Sequence, residues 1–146
     1  MKTLFASFVL TCLITLSSFS NNELEPVKWV FSAKQIKADE YMLIFEAKLA
    51  KNWHIYSQQL EGDGMPTTFY FLPSDKIEFT NSTMEEKGEA INHNALVFYK
   101  NRVLFTTNVR LKSTNAKLTG YVNYVPCNDE RCLSPKDIPF EFVFGQ

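Results

Sequence analysis

The chain has 146 residues, with 15 basic and 16 acidic side chains and a formal net charge of -1, a balance that leaves no electrostatic footprint for nucleic acid. Thirteen Phe, six Tyr and two Trp against five Gly and six Pro argue against a disordered chain and for a β-rich globular domain. No glycine-rich phosphate-binding turn follows an apolar run, so no nicotinamide, flavin or other cofactor is expected.

The amino terminus has the three parts of a secretory signal. Lys2 supplies the positive charge, Leu4 to Leu16 the short apolar run, and Ser18-Phe19-Ser20 the small residues around a cleavage point after Ser20. That run falls short of the roughly 20 apolar residues that span a bilayer, and no other stretch is long enough, so no stable membrane insertion is expected after cleavage. The alternative is an uncleaved anchor. Cys12 leaves with the signal, because a lipid anchor there would need a small residue in place of Thr11. Residues 21–146 then form a single domain with two cysteines, and export makes a disulfide between them the default state.

Along the mature chain the apolar period is two. Val27 to Ala33 is a first strand; Tyr41, Leu43, Phe45, Ala47 and Leu49 then share one face of a second, which Lys51-Asn52 ends. Trp53-His54-Ile55-Tyr56 opens a short third segment. Glu61-Gly62-Asp63-Gly64 is a turn by its chemistry, and Thr67 to Leu72 and Ile77 to Thr80 are the next strands. Residues Asn81 to Asn94 are polar and read as a long irregular excursion. Ala95 to Tyr99 and Arg102 to Leu111, divided by Lys100-Asn101, fit a hairpin. Lys117 to Val125 and Ile138 to Phe144 follow, the last with Phe140, Phe142 and Phe144 on one face. Short strands with turn signals about every ten residues predict an all-β, immunoglobulin-like antiparallel β-sandwich.

The stretch Tyr121 to Pro135 carries both remaining cysteines. Strand residues lead to Cys127, four polar residues separate it from Cys132, and Leu133-Ser134-Pro135 leads out. A pin between two sheets joins strands far apart in sequence, whereas this pair can bridge only within one loop or between one strand and its exit. A ring this small contributes about 2 kcal/mol on the loop-entropy model, against about 1.5–3 kcal/mol for each buried Phe or Leu, so the domain is expected to stay folded when reduced. Position suggests chemistry more than stabilisation. Arg131 adjoins Cys132 with Lys136 close by, favouring its thiolate, while Asp129 and Glu130 lie nearer Cys127 and oppose ionisation there.

Tyr124-Val125-Pro126-Cys127, Cys132-Leu133-Ser134-Pro135, Trp53-His54-Ile55-Tyr56 and Phe98-Tyr99-Lys100-Asn101-Arg102-Val103 together resemble the amino-terminal domain of the DsbD thiol:disulfide interchange proteins. The resemblance implies an immunoglobulin-like periplasmic domain that takes electrons from a membrane-embedded conduit protein or thioredoxin-fold donor and passes them to oxidised partner proteins. It implies that Cys132 forms the mixed disulfide with the partner, leaving Cys127 as the resolving thiol. It also places His54 and Tyr56 at the cysteine site. The pair is spaced one residue closer than in the familiar form of the motif. The family shields its cysteines with an aromatic cap loop, and the matching stretch, about Met84 to Leu96, has no aromatic residue. Because the sequence ends at Gln146, the electron source is expected to be another protein.

His54 has two readings, a strand residue facing solvent or a lining residue of the cysteine site. His93 in the polar stretch is read as exposed, and two isolated histidines lack the paired spacing of a structural zinc site. The competing function is an exported immunoglobulin-like binding module in which Cys127–Cys132 is a structural staple for a recognition loop.

Overall fold

A computed structural model of the chain describes residues 25–59, 65–86, 90–93 and 96–145. The signal expected over 1–20 and the turn expected at Glu61–Gly64 lie outside the described residues. What is described is strand and connection throughout: β1 (Val27–Gln35), β2 (Glu40–Leu49), β3 (His54–Tyr56), β4 (Thr68–Phe71), β5 (Ile77–Phe79), β6 (Met84–Glu85), β7 (Ala90–His93), β8 (Leu96–Lys100), β9 (Arg102–Leu111), β10 (Ala116–Tyr124) and β11 (Lys136–Phe144).

Three antiparallel sheets result among the described residues. The largest runs β1-β2-β9-β5, with β6 also paired to β9; the second runs β11-β10-β4; the third runs β3-β8-β7. The period-two pattern decides which side chains meet between the first two. Leu43, Phe45 and Ala47 of β2 and Val103, Phe105, Thr107 and Val109 of β9 are buried from one sheet, and Leu118, Val122, Tyr124, Phe140, Phe142 and Phe144 from the other. Phe45 lies at the centre, its ring centroid 4.7 Å from Phe69, 5.0 Å from Phe140 and 5.5 Å from Phe142. Trp29 closes one end against Phe69, Phe105 and Tyr124. These edge and tilted contacts suit aromatic quadrupoles better than face-to-face stacking does. The architecture is the immunoglobulin-like sandwich that the alternation implies.

The expected breaks are real turns with a backbone signature. Asn52 and Asn101, each the second residue of a Lys-Asn pair, have φ of 68° and 63°, and asparagine tolerates this left-handed conformation better than most side chains. Gly120 answers a different need. A Cβ at this position of β10 would lie 2.1 Å from the Tyr70 carbonyl oxygen and 2.6 Å from the Phe140 ring, so only glycine lets β4 approach at this register.

Two expectations fail. The polar stretch Asn81 to Asn94 is not wholly irregular, since it contains β6 and β7. A partner strand recruits their backbone, Met84 opposite Thr106 of β9 and Ile91 opposite Phe98 of β8, although their residues show no alternation. Nor do β8 and β9 form a hairpin. Both edges of β9 are taken, one by β2 and the other by β5 and β6, so at Asn101 the chain leaves the third sheet and enters the first.

Candidate functional site

The third sheet carries the cysteines. Beyond Tyr124 the chain continues through buried Val125 and Pro126 to Cys127, which exchanges both backbone hydrogen bonds with His54: His54 N donates to the Cys127 carbonyl at 2.8 Å, and Cys127 N to the His54 carbonyl at 3.0 Å. Cys127 in turn forms an antiparallel bridge with Cys132. On the other side of β3, His54 is opposite Lys100 of β8. Lys100, His54, Cys127 and Cys132 therefore form one row across four neighbouring backbone segments. Opposed residues of antiparallel pairs project to the same face, so these four side chains share one face.

Alternation explains the division of labour in β3. Ile55 is fully buried and its partner Tyr99 is 3 % exposed, both on the core side. His54 and Tyr56 project the other way, toward Phe98. The His54 ring lies 4.5 Å from that of Phe98 and 5.6 Å from that of Tyr56, and the Lys100 ammonium sits 5.7 Å above Phe98. Below this face, the Ser57 hydroxyl and the Gln58 amide donate to the two oxygens of Glu85, tying the exit of β3 to β6. Burial, followed by the charge of Glu85, pushes the Tyr99 hydroxyl up to about 12, so it stays protonated beneath the site.

The four residues between the cysteines form a braced turn. Asn128 N donates to the Arg131 carbonyl, and Leu133 N to that of Pro126. The Asn128 side-chain oxygen accepts from the amides of Glu130 at 2.9 Å and Arg131 at 2.8 Å, an Asx turn that needs a short side-chain acceptor at this point. Within it Cys127 and Cys132 are joined by a disulfide, with Cα atoms 4.0 Å apart. The two sulfur-bearing residues differ sharply in access. Cys127 is 1 % exposed, while Cys132 is open to solvent with Asp129, Glu130 and Arg131.

Most of the predicted site residues come together. Cys127, Cys132, His54 and Tyr56 share one face, and Arg131 lies in the turn. The solvent-facing reading of His54 is overturned: the residue is 7 % exposed, and its Nδ1 has no hydrogen-bond partner among the described residues. Burial lowers its pKa, the neighbouring Lys100 charge lowers it further, and Asp129 opposes them. Lys136 pairs with Glu25 at 2.8 Å. His93 belongs to β7 by its backbone, while its side chain lies outside the description. Three contributors escaped sequence reasoning. Asn128 was legible, as an Asn directly after a cysteine in a turn. Phe98 and Lys100 were not, because their place beside His54 depends on the register between β8 and β3.

Comparison with known proteins bears on the family and the fold. Residues 21–142 match the family model described as "Thiol:disulfide interchange protein DsbD, N-terminal". No curated protein matches the chain in sequence. Among solved structures, the DsbD N-terminal domain of Neisseria meningitidis in its reduced form aligns with a TM-score of 0.53 at 15% identity, over 81% of this chain and 86% of that one. The N-terminal periplasmic domain of ScsB from Proteus mirabilis aligns with a TM-score of 0.56 at 13% identity, over 83% of this chain and 47% of that one. At these identities the two structures speak for the sandwich fold alone, whereas the family match covers most of the chain and includes both cysteines. The chain belongs to the family of DsbD thiol:disulfide interchange protein N-terminal domains.

Proposed function

We propose that the protein is a periplasmic module that accepts electrons from a membrane-embedded conduit or a thioredoxin-fold donor and delivers them to oxidised partner proteins through Cys127 and Cys132. Export by a cleaved signal over residues 1–20 belongs to this reading. No helix among the described residues is long and apolar enough to cross a membrane. The observation that carries the proposal is the unequal exposure of two cysteines in one short turn. Thiol–disulfide exchange needs one sulfur that a partner can reach and a second held close behind it.

In the reduced protein the Cys132 thiolate attacks one sulfur of a partner disulfide, and the partner's other sulfur leaves as a thiolate. Cys127 then attacks the Cys132 sulfur, the intermolecular bond breaks, and the Cys127–Cys132 disulfide re-forms. Two electrons pass to the partner, which is released as a dithiol. The donor reverses these steps to reduce the pair again. Arg131, exposed and adjoining Cys132, supports thiolate formation at the attacking sulfur.

Trapping tests the assignment. Reduced Cys127→Ser protein should form a lasting mixed disulfide with an oxidised thioredoxin-fold protein, because no neighbouring thiol remains to resolve it. Cys132→Ser should trap far less. Equal trapping by the two variants would reverse the assigned roles. A wild-type disulfide that resists a glutathione buffer would instead favour the structural-staple reading.

A further inference from the structure

The exchange sequence leaves one proton unassigned. Cys127 must lose its thiol proton before it can attack the Cys132 sulfur, yet at 1 % exposure bulk water has little access to that proton. A thiol so placed needs a base within its own enclosure. We propose that His54 is the proton acceptor for Cys127 in the step that closes the disulfide and frees the partner. This inference rests on the exchange function proposed above.

Three observations support His54 in this role. It is the residue directly opposite Cys127 in an antiparallel pair joined by both backbone hydrogen bonds, an arrangement that sets Cβ atoms about 4.5–5.5 Å apart on one face. It is nearly enclosed, with its ring held against Phe98 and Tyr56. Its Nδ1 is buried and finds neither donor nor acceptor among the described residues. A buried ring nitrogen with no acceptor is better kept as a bare lone pair than as an unsatisfied N–H, which leaves it ready to take a proton. The charged and titratable groups around it are few among the described residues: Lys100 on β8, Asp129 in the cysteine turn, and Tyr56 on its own strand. Burial and Lys100 keep the imidazole neutral, and therefore able to accept, at neutral pH.

In the balanced step, the Cys127 S–H proton passes to the imidazole as the Cys127 sulfur forms its bond to Cys132. The bond between Cys132 and the partner breaks, with its electron pair leaving on the partner's sulfur. The imidazolium then returns its proton to that thiolate or to water. No further oxidant is needed, since the partner disulfide is the electron acceptor.

The test isolates this step from the first one. Reduced full-length mature protein is reacted with oxidised glutathione, and formation of the Cys132 adduct and its conversion to the intramolecular disulfide are followed by acid quenching and mass spectrometry across pH 5–10. Wild-type closure should hold a plateau through neutral pH and fall only as His54 becomes protonated. His54→Gln should close about 100-fold more slowly at neutral pH, with its rate rising tenfold per pH unit and meeting wild type once Cys127 ionises unaided. His54→Tyr keeps a ring against Phe98 without a basic nitrogen and should behave like His54→Gln. Wild-type closure that itself rises tenfold per unit through neutral pH would overturn the inference even if both variants failed to fold. So would variants whose rate and profile match wild type. Failure of wild type to form or close the adduct would instead overturn the exchange function.

Discussion

Reducing the disulfide should weaken the domain without unfolding it. Cys127 and Cys132 lie five positions apart, and for a closed loop of about six residues the loop-entropy relation gives about 2 kcal/mol near room temperature. Each of the fully buried side chains Phe45, Phe105, Leu43, Ile55 and Leu118 contributes about 1.5–3 kcal/mol by burial, so any two of them match or outweigh the bridge. The turn also keeps its other restraints after reduction: the paired backbone bonds between His54 and Cys127, the Asn128 to Arg131 and Leu133 to Pro126 bonds, and the two amides held by the Asn128 side chain. Thermal unfolding followed by circular dichroism, with and without reductant, should show one cooperative transition in both states. Its midpoint should fall by roughly 6–12 °C, from about 3–6 °C per kcal/mol for a domain of this size. A drop beyond about 20 °C, or loss of the cooperative transition, would show that the disulfide is a main support of the sandwich and would refute the reasoning.

Gly120→Ala should destabilise the protein by about 1–3 kcal/mol, because its methyl group would lie 2.1 Å from the Tyr70 carbonyl oxygen and force β4 from β10; urea denaturation reads the loss directly. The His54 pKa is lowered in the fold, chiefly by burial and then by Lys100, so below about pH 6.5 the unfolded chain binds a proton that the folded one refuses. This stability is therefore fully present above that pH and is lost as pH falls toward the folded-state value, with a slope of at most about 1.4 kcal/mol per pH unit. Denaturant midpoints of oxidised wild type and His54→Gln between pH 5 and 8 should show the variant lacking this part of the acid sensitivity.

The order of residues alone specifies the strands with strong alternation, as in Leu43, Phe45 and Ala47 of β2 or Phe140, Phe142 and Phe144 of β11, whose buried faces follow from the pleat. It determined the breaks at Asn52 and Asn101, though not the hairpin expected at the second, and it confined any disulfide to the one short stretch that holds both cysteines. These are local properties of the chain. Long-range packing made β6 and β7 strands within a polar stretch, since their pairing was supplied by free edges of β9 and β8. It alone separated β8 from β9, because a strand has two edges and those of β9 were already occupied. It also decided that Cys127 is enclosed while Cys132 is open, and that His54 lies between Lys100 and Cys127 with Phe98 against its ring. Burial and register depend on which distant segments arrive alongside, and no spacing within Trp53 to Tyr56 or Cys127 to Cys132 encodes that arrival.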